Sequence, residues 1–384
     1  MIYLDNAATS FPKPPEVVEE VARCMSEYCG NPGRGSHKLA LAAAEGIYDC
    51  RATLCDFFSA EAPENVVFCS NATHALNIAI FSLAHDRAHF ICSDCEHNSV
   101  RRPLEYLARE RGCSYSVYNS YLLDPTRNAQ KICNSISSLI RPETVAVIST
   151  ATPNICSAKM PLAEIGELCR SKGIFFIVDG AQGAGHYDIN IKKSNISALA
   201  IPGHKGLLGP QGSGALILSS NFTSHPLTFG GSGSASLDTD MPSELPERLE
   251  AGTLSTPSIV GLEAGIKAIK LIGLEKISQH EEMLFKKTLR LLSEIRGVRI
   301  YAQRYSGSVI SFNIDGIPSD RVANLLSEQD IYVRAGFHCN PMAHKVLGSD
   351  YGGSVRASFS PFNTADDVIA LADAVRNIVR GKYR

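Results

Sequence analysis

Short, uninterrupted apolar runs alternate with stretches of helical periodicity through the middle of this chain. The run Phe175, Phe176, Ile177 and Val178 lacks the apolar–polar alternation of a strand with one face in water. Such runs are typical of strands buried on both faces, and their repetition with helices predicts a mostly parallel sheet covered on both sides. Ligands of such sheets lie outside the carboxyl ends of the strands. The polar residues that directly follow each run are therefore the candidates for function.

The same pattern predicts the individual elements and the domains. Strands are expected at 66–68, 90–92, 115–118, 145–148 and 174–178, with helices over 75–83 and 100–111. After about Pro257 we expect one long helix over 259–293, β-like segments at 298–301 and 308–314, a helix capped by Ser319 or Asp320, and a last helix over 365–379 capped by Thr364. The prediction is an α/β fold with a large domain over residues 15–257 and a smaller α+β domain built from residues 1–14 and 258–384.

Charge and composition argue against several classes of function. The 384 residues carry a formal net charge of -2 without a basic block, which gives no electrostatic case for a nucleic-acid partner. No apolar run approaches the ~18 residues of a membrane span, and Met1 to Asn6 lack the basic and apolar regions of a signal peptide. The 12 cysteines are irregularly spaced, as expected of reduced thiols. We therefore expect a cytoplasmic protein without a membrane or nucleic-acid partner.

One aspartate and one lysine follow apolar runs, and together these two residue types suit Schiff-base chemistry with a cofactor. Asp179 ends the run at 175–178 and precedes a glycine, and Lys205 lies among glycines after a later run. Each residue alone is equally typical of a solvated turn or a helix cap. Together they suit a cofactor aldehyde, because a lysine amine forms a Schiff base with it and a carboxylate keeps a pyridine nitrogen protonated.

Six short stretches together resemble the cysteine desulfurase branch of the class V aminotransferases. They are residues 3–9, 96–99, 178–182, 203–205, 250–253 and 334–339, and they follow one another in the family's order over nearly the whole chain. Several independent motifs in the right order are more specific than any one of them. The resemblance implies the fold type I of pyridoxal-phosphate-dependent transferases, with pyridoxal 5'-phosphate as the cofactor.

The resemblance implies four residues at the cofactor ring. Lys205 would form the Schiff base with the cofactor and then transfer protons, and Asp179 would pair with the ring nitrogen. Gln182 would donate a hydrogen bond to the ring hydroxyl oxygen. His97 would stack on the ring face and so belong to the catalytic residues.

The resemblance also implies a phosphate site. Ala72 and Thr73 lead into a predicted helix, so that backbone N–H groups and the Thr73 hydroxyl can hold the phosphate, although a simple N-cap explains the same residues. His204 would add a donor. Thr253 would reach the phosphate of the neighbouring subunit, which implies a homodimer. Relatives often have a hydroxyl residue where this chain has Pro202, which has no side-chain donor.

Substrate binding is expected from a second set of residues. Arg356 would hold the substrate carboxylate through two parallel hydrogen bonds, although an exposed strand arginine fits the residues alone equally well. Asn154 resembles the family's asparagine near the cofactor hydroxyl and the substrate carboxylate. Arg34 and His37 resemble the segment at the substrate entrance. Cys156 lies close to Asn154 in sequence, and a buried cysteine without a role is the simpler interpretation.

Cys339 is the residue on which the expected activity depends. It lies in a loop of small residues, and Arg334 and His338 are positive groups that would favour its thiolate. The resemblance makes Cys339 the nucleophile that takes sulfur from the substrate as a persulfide. The short loop resembles the subgroup that often works with a sulfur-accepting partner.

The expected reaction converts L-cysteine to L-alanine and passes the sulfur to an acceptor, towards iron–sulfur clusters, thiolated tRNA or another sulfur pathway. The alternatives are a lyase acting on L-selenocysteine, amino transfer to a keto acid, and a catalytically silent scaffold. The sequence does not separate the first of these from a desulfurase. Cys92, Cys95 and His97 have one pair of metal-like spacing but no second pair, so no metal is expected.

Overall fold

The computed structural model describes residues 1–33, 36–234 and 237–381, in which strands and helices alternate. The strands are β1 (Ile2–Tyr3), β2 (Val66–Cys69), β3 (His89–Ser93), β4 (Ser114–Tyr118), β5 (Thr144–Thr150), β6 (Phe175–Asp179), β7 (Ala198–Pro202), β8 (Gly214–Leu218), β9 (Val298–Tyr301), β10 (Val309–Ile314), β11 (Ile331–Tyr332), β12 (Arg334–Gly336) and β13 (Ser354–Ser358). The helices are α1 (Pro15–Arg23), α2 (Lys38–Phe58), α3 (Ala72–Ser82), α4 (Asn98–Glu110), α5 (Ala129–Ser137), α6 (Leu162–Lys172), α7 (Thr256–Ile272), α8 (Leu274–Ser293), α9 (Ser319–Ser327), α10 (Pro341–Leu347) and α11 (Ala365–Val379).

Seven strands form the central sheet, in the order β2–β8–β7–β6–β5–β3–β4. The pairs β3–β4, β3–β5, β5–β6 and β6–β7 are parallel. Only β8 runs against its neighbours in this sheet, since it is antiparallel to both β2 and β7. The predicted α/β fold with a mostly parallel sheet is confirmed.

Both faces of the central sheet are buried, as the uninterrupted apolar runs predict. Phe176 and Val178 of β6 pack into a cluster with residues of α2, α6 and α7, whereas Ile177 packs on the opposite side with residues of α3 and α4. Each such side chain contributes about 1.5–3 kcal/mol relative to an exposed one. Within the described part of the chain, none of the helices combines the length and the apolar character that a bilayer crossing needs.

A smaller antiparallel sheet, in the order β12–β13–β10–β9, forms the second part of the molecule. Its core includes residues of α8, α9 and α11 together with Leu4 from the N-terminal segment. β1 pairs in parallel with β11, so the beginning of the chain joins this part. The smaller α+β part is therefore present, and the boundaries at 15–257 stay a prediction.

Two details of the C-terminal half differ from the sequence prediction. The single helix expected over 259–293 is wrong, because Gly273 has a φ of 94° and separates α7 from α8. The expected cap of α9 is also wrong: Pro318 occupies the N-cap position, and the Ser319 hydroxyl donates to the Gly352 carbonyl at 2.7 Å. The predicted cap of α11 is confirmed, since Thr364 forms a capping box with Asp367.

Candidate active site

The carboxyl ends of the parallel strands surround a cavity. Its wall contains most of the residues predicted to bind the cofactor: Ala72, Thr73, His97, Asn154, Asp179, Gln182, His204 and Lys205. Four of these follow β6 or β7 closely, as expected at the carboxyl edge of a parallel sheet. Pro202, the last residue of β7, also lines the cavity.

Lys205 lies in a turn whose glycines, Gly203 and Gly206, could not carry side chains without a clash. A Cβ at Gly203 would lie 2.1 Å from Ser213 Oγ, and a Cβ at Gly206 would lie 2.4 Å from the Ala184 carbonyl oxygen. Burial lowers the pKa of Lys205 to about 8, against the opposing effect of Asp179. The amine is therefore neutral in a substantial fraction of molecules near that pH, which is the form that reacts with an aldehyde.

Asp179 is the last residue of β6 and is nearly fully buried. One of its oxygens, Oδ1, accepts a hydrogen bond from the Ala181 backbone N–H at 2.9 Å. The carboxylate thus has a fixed orientation in the wall of the same cavity as Lys205.

The first turn of α3 also lines the cavity. α3 begins at Ala72, earlier than predicted, and Asn71 caps it by accepting from the His74 N–H at 2.9 Å. The remaining N–H groups of a first helical turn have no partner within the helix and favour an anion. His204 Nδ1 is buried without a partner among the described residues, and burial lowers the pKa of this histidine to about 4, so its ring is neutral.

His97 is held by a chain of hydroxyl groups that joins α3 to α4. It is the N-cap of α4, and its Nδ1 accepts from the Ser99 N–H at 3.1 Å. Ser99 Oγ lies 2.8 Å from that nitrogen and 2.7 Å from Thr73 Oγ1. Burial lowers the pKa of His97. Ser99 lies within the matched stretch 96–99, but sequence reasoning gave it no role.

Gln182 has unused hydrogen-bonding capacity. Its Nε2 donates one hydrogen bond to the Ala7 carbonyl at 2.9 Å, which leaves the second N–H of that amide. Its Oε1 is buried without a partner among the described residues. Buried polar atoms are normally paired. The unpaired atoms of Gln182 and His204, the first turn of α3, and Lys205 opposite Asp179 together fit pyridoxal phosphate.

Arg356 lies in β13 and is 2% exposed, so the alternative of an exposed strand arginine is wrong. Its Nη2 donates to Asp5 Oδ1 at 2.8 Å, and its Nη1 donates to the Asn154 carbonyl at 3.1 Å. Its Nε is buried and has no partner among the described residues. The guanidinium therefore has a donor available for a further anion. Sequence reasoning missed Asp5, although it lies in the matched stretch 3–9.

Two asparagines connect this region to the loop of Cys339. Asn154 Nδ2 donates to the His338 carbonyl at 2.6 Å. Asn340 Nδ2 donates both to Asn154 Oδ1 at 3.1 Å and to the Cys95 carbonyl at 2.8 Å. Asn340 was also missed, because nothing in the sequence shows which buried carbonyl groups it faces.

Cys339 is exposed and lies in a groove beside the cavity of Lys205. The groove shares His97 and Thr73 with the wall of that cavity. The Cys339 carbonyl accepts from the Asn98 N–H at the start of α4 at 2.8 Å, which fixes the loop. The expectation that His338 adds a positive charge is wrong, because burial lowers its pKa to about 2 and its ring is neutral.

Three other residues named in the sequence analysis do not line this cavity: Thr253, His37 and Cys156. Thr253 lies in a second cavity with Arg51 and Glu250, and His37 is an exposed N-cap whose Nδ1 accepts from the Ala40 N–H at 3.3 Å. Arg34 lies outside the described residues. Cys156 is buried in a small apolar cluster.

Comparisons with known proteins agree over almost the full length. The family model described as Aminotransferase class-V matches residues 2–371. A probable cysteine desulfurase of Pyrococcus abyssi is 32% identical over 99% of this chain and 94% of its own length. A second, from Methanothermobacter thermautotrophicus, is 32% identical over 98% of this chain and 94% of its own. The solved apo structure of the cysteine desulfurase from Thermococcus onnurineus NA1 has a TM-score of 0.90 and 32% identity, and the match covers 99% of this chain and 95% of the other.

Proposed function

The chain belongs to the class V aminotransferase family, and from this premise we propose that it is a pyridoxal-phosphate-dependent cysteine desulfurase that forms a persulfide on Cys339. The observation that carries this proposal is the position of Cys339. Its exposed thiol lies in a groove that shares His97 and Thr73 with the cavity of Lys205 and Asp179.

The residues of the cavity would divide the binding of the cofactor between them. Lys205 would hold it covalently, Asp179 would face the ring nitrogen, and the first turn of α3 with His204 would hold the phosphate. When bound, pyridoxal phosphate supplies a ring that accepts the electrons left on the substrate Cα after its proton is removed.

The substrate would be oriented by its carboxylate and deprotonated by the lysine. The Nε and Nη groups of Arg356 are donors for the carboxylate, and the Asn154 and Asp5 contacts hold the guanidinium in place. Lys205 Nζ, whose pKa burial lowers to about 8, takes the Cα proton in its neutral form. Arg356 thus binds the substrate carboxylate, and Lys205 transfers the proton.

The sulfur transfer is written with Cys339 Sγ as the nucleophile. Its thiolate attacks the substrate sulfur, so that a sulfur–sulfur bond forms while the Cβ–S bond of the substrate breaks. The electron pair of the broken bond stays with the substrate carbon, which takes a proton and becomes the methyl group of L-alanine. The products are L-alanine and a Cys339 persulfide, and an acceptor thiol then takes the outer sulfur.

The test measures L-alanine from L-cysteine and from L-selenocysteine with the wild-type chain and with Cys339→Ala. We expect alanine from both substrates, and a loss of at least about 100-fold for L-cysteine alone in the variant, because removal of a covalent nucleophile abolishes that route. Cys29→Ala is the matched control, since Cys29 is also exposed but lies outside both pockets.

An undiminished rate with Cys339→Ala would contradict the persulfide step. Turnover of L-selenocysteine alone by the wild-type chain would identify a selenocysteine lyase. Absence of alanine from either substrate would exclude both reactions and leave amino transfer or a silent scaffold.

A homodimer and a sulfur-acceptor protein complete the proposal. Tyr48 lines the second cavity, where Thr253 is found, and is 55% exposed. Two further exposed apolar side chains are close to lining residues in sequence: Leu41, about two turns before Tyr48 on α2, and Phe229, two residues before Gly231. Such a concentration of apolar surface is typical of an interface. A cytoplasmic location and a role in supplying sulfur for iron–sulfur clusters stay predictions.

A further inference from the structure

The N-terminal segment, residues 5–13, contacts the active site, and of its residues only Asp5 has a role in the reaction described above. Asp5 binds Arg356, and the Ala7 carbonyl accepts from Gln182 Nε2. The Ala7 N–H donates to Ser358 Oγ at 2.9 Å. The segment therefore contacts the expected substrate site and the expected ring site within three residues of its own length.

The far end of this segment converges on one backbone atom, the carbonyl oxygen of His204. This oxygen accepts from the Ser10 N–H at 2.9 Å, from Thr9 Oγ1 at 3.0 Å, from Lys13 Nζ at 3.0 Å and from Ser10 Oγ at 3.3 Å. A carbonyl oxygen has two lone pairs, so four donors saturate it. The carbonyl belongs to the peptide group that links His204 to Lys205.

Lys13 is the charged member of this set. Its Nζ donates to Ser10 Oγ at 2.7 Å as well as to the His204 carbonyl. No carboxylate among residues 1–33, 36–234 and 237–381 forms an ion pair with it, and burial lowers its pKa to about 8. An ammonium group that is withdrawn from water without a counterion carries a desolvation cost. Lys13 is partly buried, and its hydrogen bonds to the His204 carbonyl and Ser10 Oγ replace part of the water that it loses.

We propose that Lys13 is a positioning residue for Lys205, because its ammonium group fixes the peptide carbonyl that precedes this lysine. The inference rests on the proposed function in one respect, that Lys205 is the residue that holds the cofactor. Gly203 and Gly206 flank His204 and Lys205 and have no side chains that could hold this turn, so the hydrogen bonds to the His204 carbonyl add to the close contacts of the backbone with Ser213 and Ala184. The direction of the Lys205 side chain then depends on the donors that hold this peptide.

The test compares Lys13→Met with Lys13→Arg in the cofactor-loaded protein. An amine reagent that traps aldehydes removes the cofactor, and the change in the cofactor's absorption measures the rate of this loss. We expect Lys13→Met to lose its cofactor about tenfold faster than wild type, because a hydrogen bond from a charged donor is lost. Its kcat for L-cysteine should fall by about tenfold with little change in KM, because the substrate's own contacts remain. Lys13→Arg keeps the charge and the donors and should restore both quantities to within about threefold of wild type.

Lys276→Met is the matched control, since Lys276 is an exposed lysine on α8. If Lys13→Met does not fold, Lys13→Gln keeps a donor without the charge and undergoes the same measurements. The proposal is overturned if the rate of cofactor loss and kcat are both unchanged in Lys13→Met or, where that variant does not fold, in Lys13→Gln. A lower melting temperature without a change in these two quantities would also overturn it, because it would show a purely structural role.

The two proposals can fail separately. If the wild-type chain makes no alanine, the proposed function fails, while the rate of cofactor loss still tests Lys13. If the wild-type chain is active and Lys13→Met behaves like Lys276→Met, only the role of Lys13 is wrong.

Discussion

Arg356, which we propose to bind the substrate carboxylate, also contributes to stability through its ion pair. It is buried, and Asp5 is the acid with which it pairs at 2.8 Å. Arg334 lies 4.0 Å from the second oxygen of the same carboxylate. The desolvation of a buried guanidinium is partly offset by this pair, and removal of one partner leaves the other charge uncompensated.

We therefore expect Asp5→Ala to lower the free energy of unfolding by about 2 kcal/mol. Urea denaturation measures this change, and Asp373→Ala is the control, because the exposed Asp373–Arg376 pair should contribute less than about 1 kcal/mol. A double-mutant cycle with Arg356→Met isolates the coupling between the two residues. Additive effects in that cycle would mean that the contact does not hold Arg356.

The sequence predicted single site residues where the residue type itself indicates a chemical role. It did not predict residues whose role depends on which distant group they contact in the fold. Lys205 and Asp179 follow apolar runs and lie in one cavity. Asp5, Asn340 and Lys13 contact partners far along the chain, which no pattern of residue types reveals. Asp5 pairs with the Arg356 side chain, whereas Asn340 and Lys13 donate to backbone carbonyl groups. The neutrality of His338 likewise follows from burial, which its neighbours in sequence do not indicate.

At the scale of elements, Gly273 is the clearest departure from the sequence pattern. Apolar residues continue with helical spacing from α7 into α8, so the periodicity predicts one helix. The backbone of Gly273 has a φ of 94°, which a residue with a Cβ adopts only with strain. The spacing of apolar residues indicates which face of a helix is buried, but it does not indicate where the backbone changes direction.

Gly273→Ala should accordingly destabilise the protein by about 1–2 kcal/mol. Thermal or urea unfolding measures the effect, and Gly230→Ala is the matched control, because the nearest atom to its added Cβ is 3.8 Å away and its φ is not positive. That control should change the free energy of unfolding by less than about 0.5 kcal/mol. Equal effects of the two substitutions would show that the break between α7 and α8 is not enforced by Gly273.

At the scale of the whole molecule, the site is built from three distant parts of the chain. Asp5 comes from the N-terminal segment, Asp179 and Lys205 come from the central sheet, and Arg356 comes from the small sheet. The alternation of strands and helices predicted the sheet that brings the middle residues together. The sequence prediction also assigned residues 1–14 to the small domain, but it could not predict the pairing of β1 with β11, because β1 is only two residues long.

Thr253 supplies a prediction about two copies of the chain. If it reaches the phosphate of the neighbouring subunit, mixing Lys205→Ala chains with Thr253→Ala chains should restore activity, because the site on each Thr253→Ala chain then receives an intact Thr253 from its partner. The desulfurase rate of the refolded mixture is compared with the sum of the separate rates, and up to about half of the chains can form such pairs at random. A mixture no more active than that sum would show that Thr253 serves its own chain or neither.

The pairing of β1 with β11 also has a consequence for synthesis on the ribosome. Ile2 leaves the exit tunnel long before its strand neighbour Ile331, which follows it 331 − 2 = 329 residues later. At about 5–20 residues per second, the first strand waits roughly 15–65 s for its partner. The central sheet, whose last strand along the chain ends at Leu218, can assemble during that interval, whereas Asp5 meets Arg356 only after the small sheet has been synthesised. A nascent chain therefore acquires its scaffold early and its competence for chemistry last.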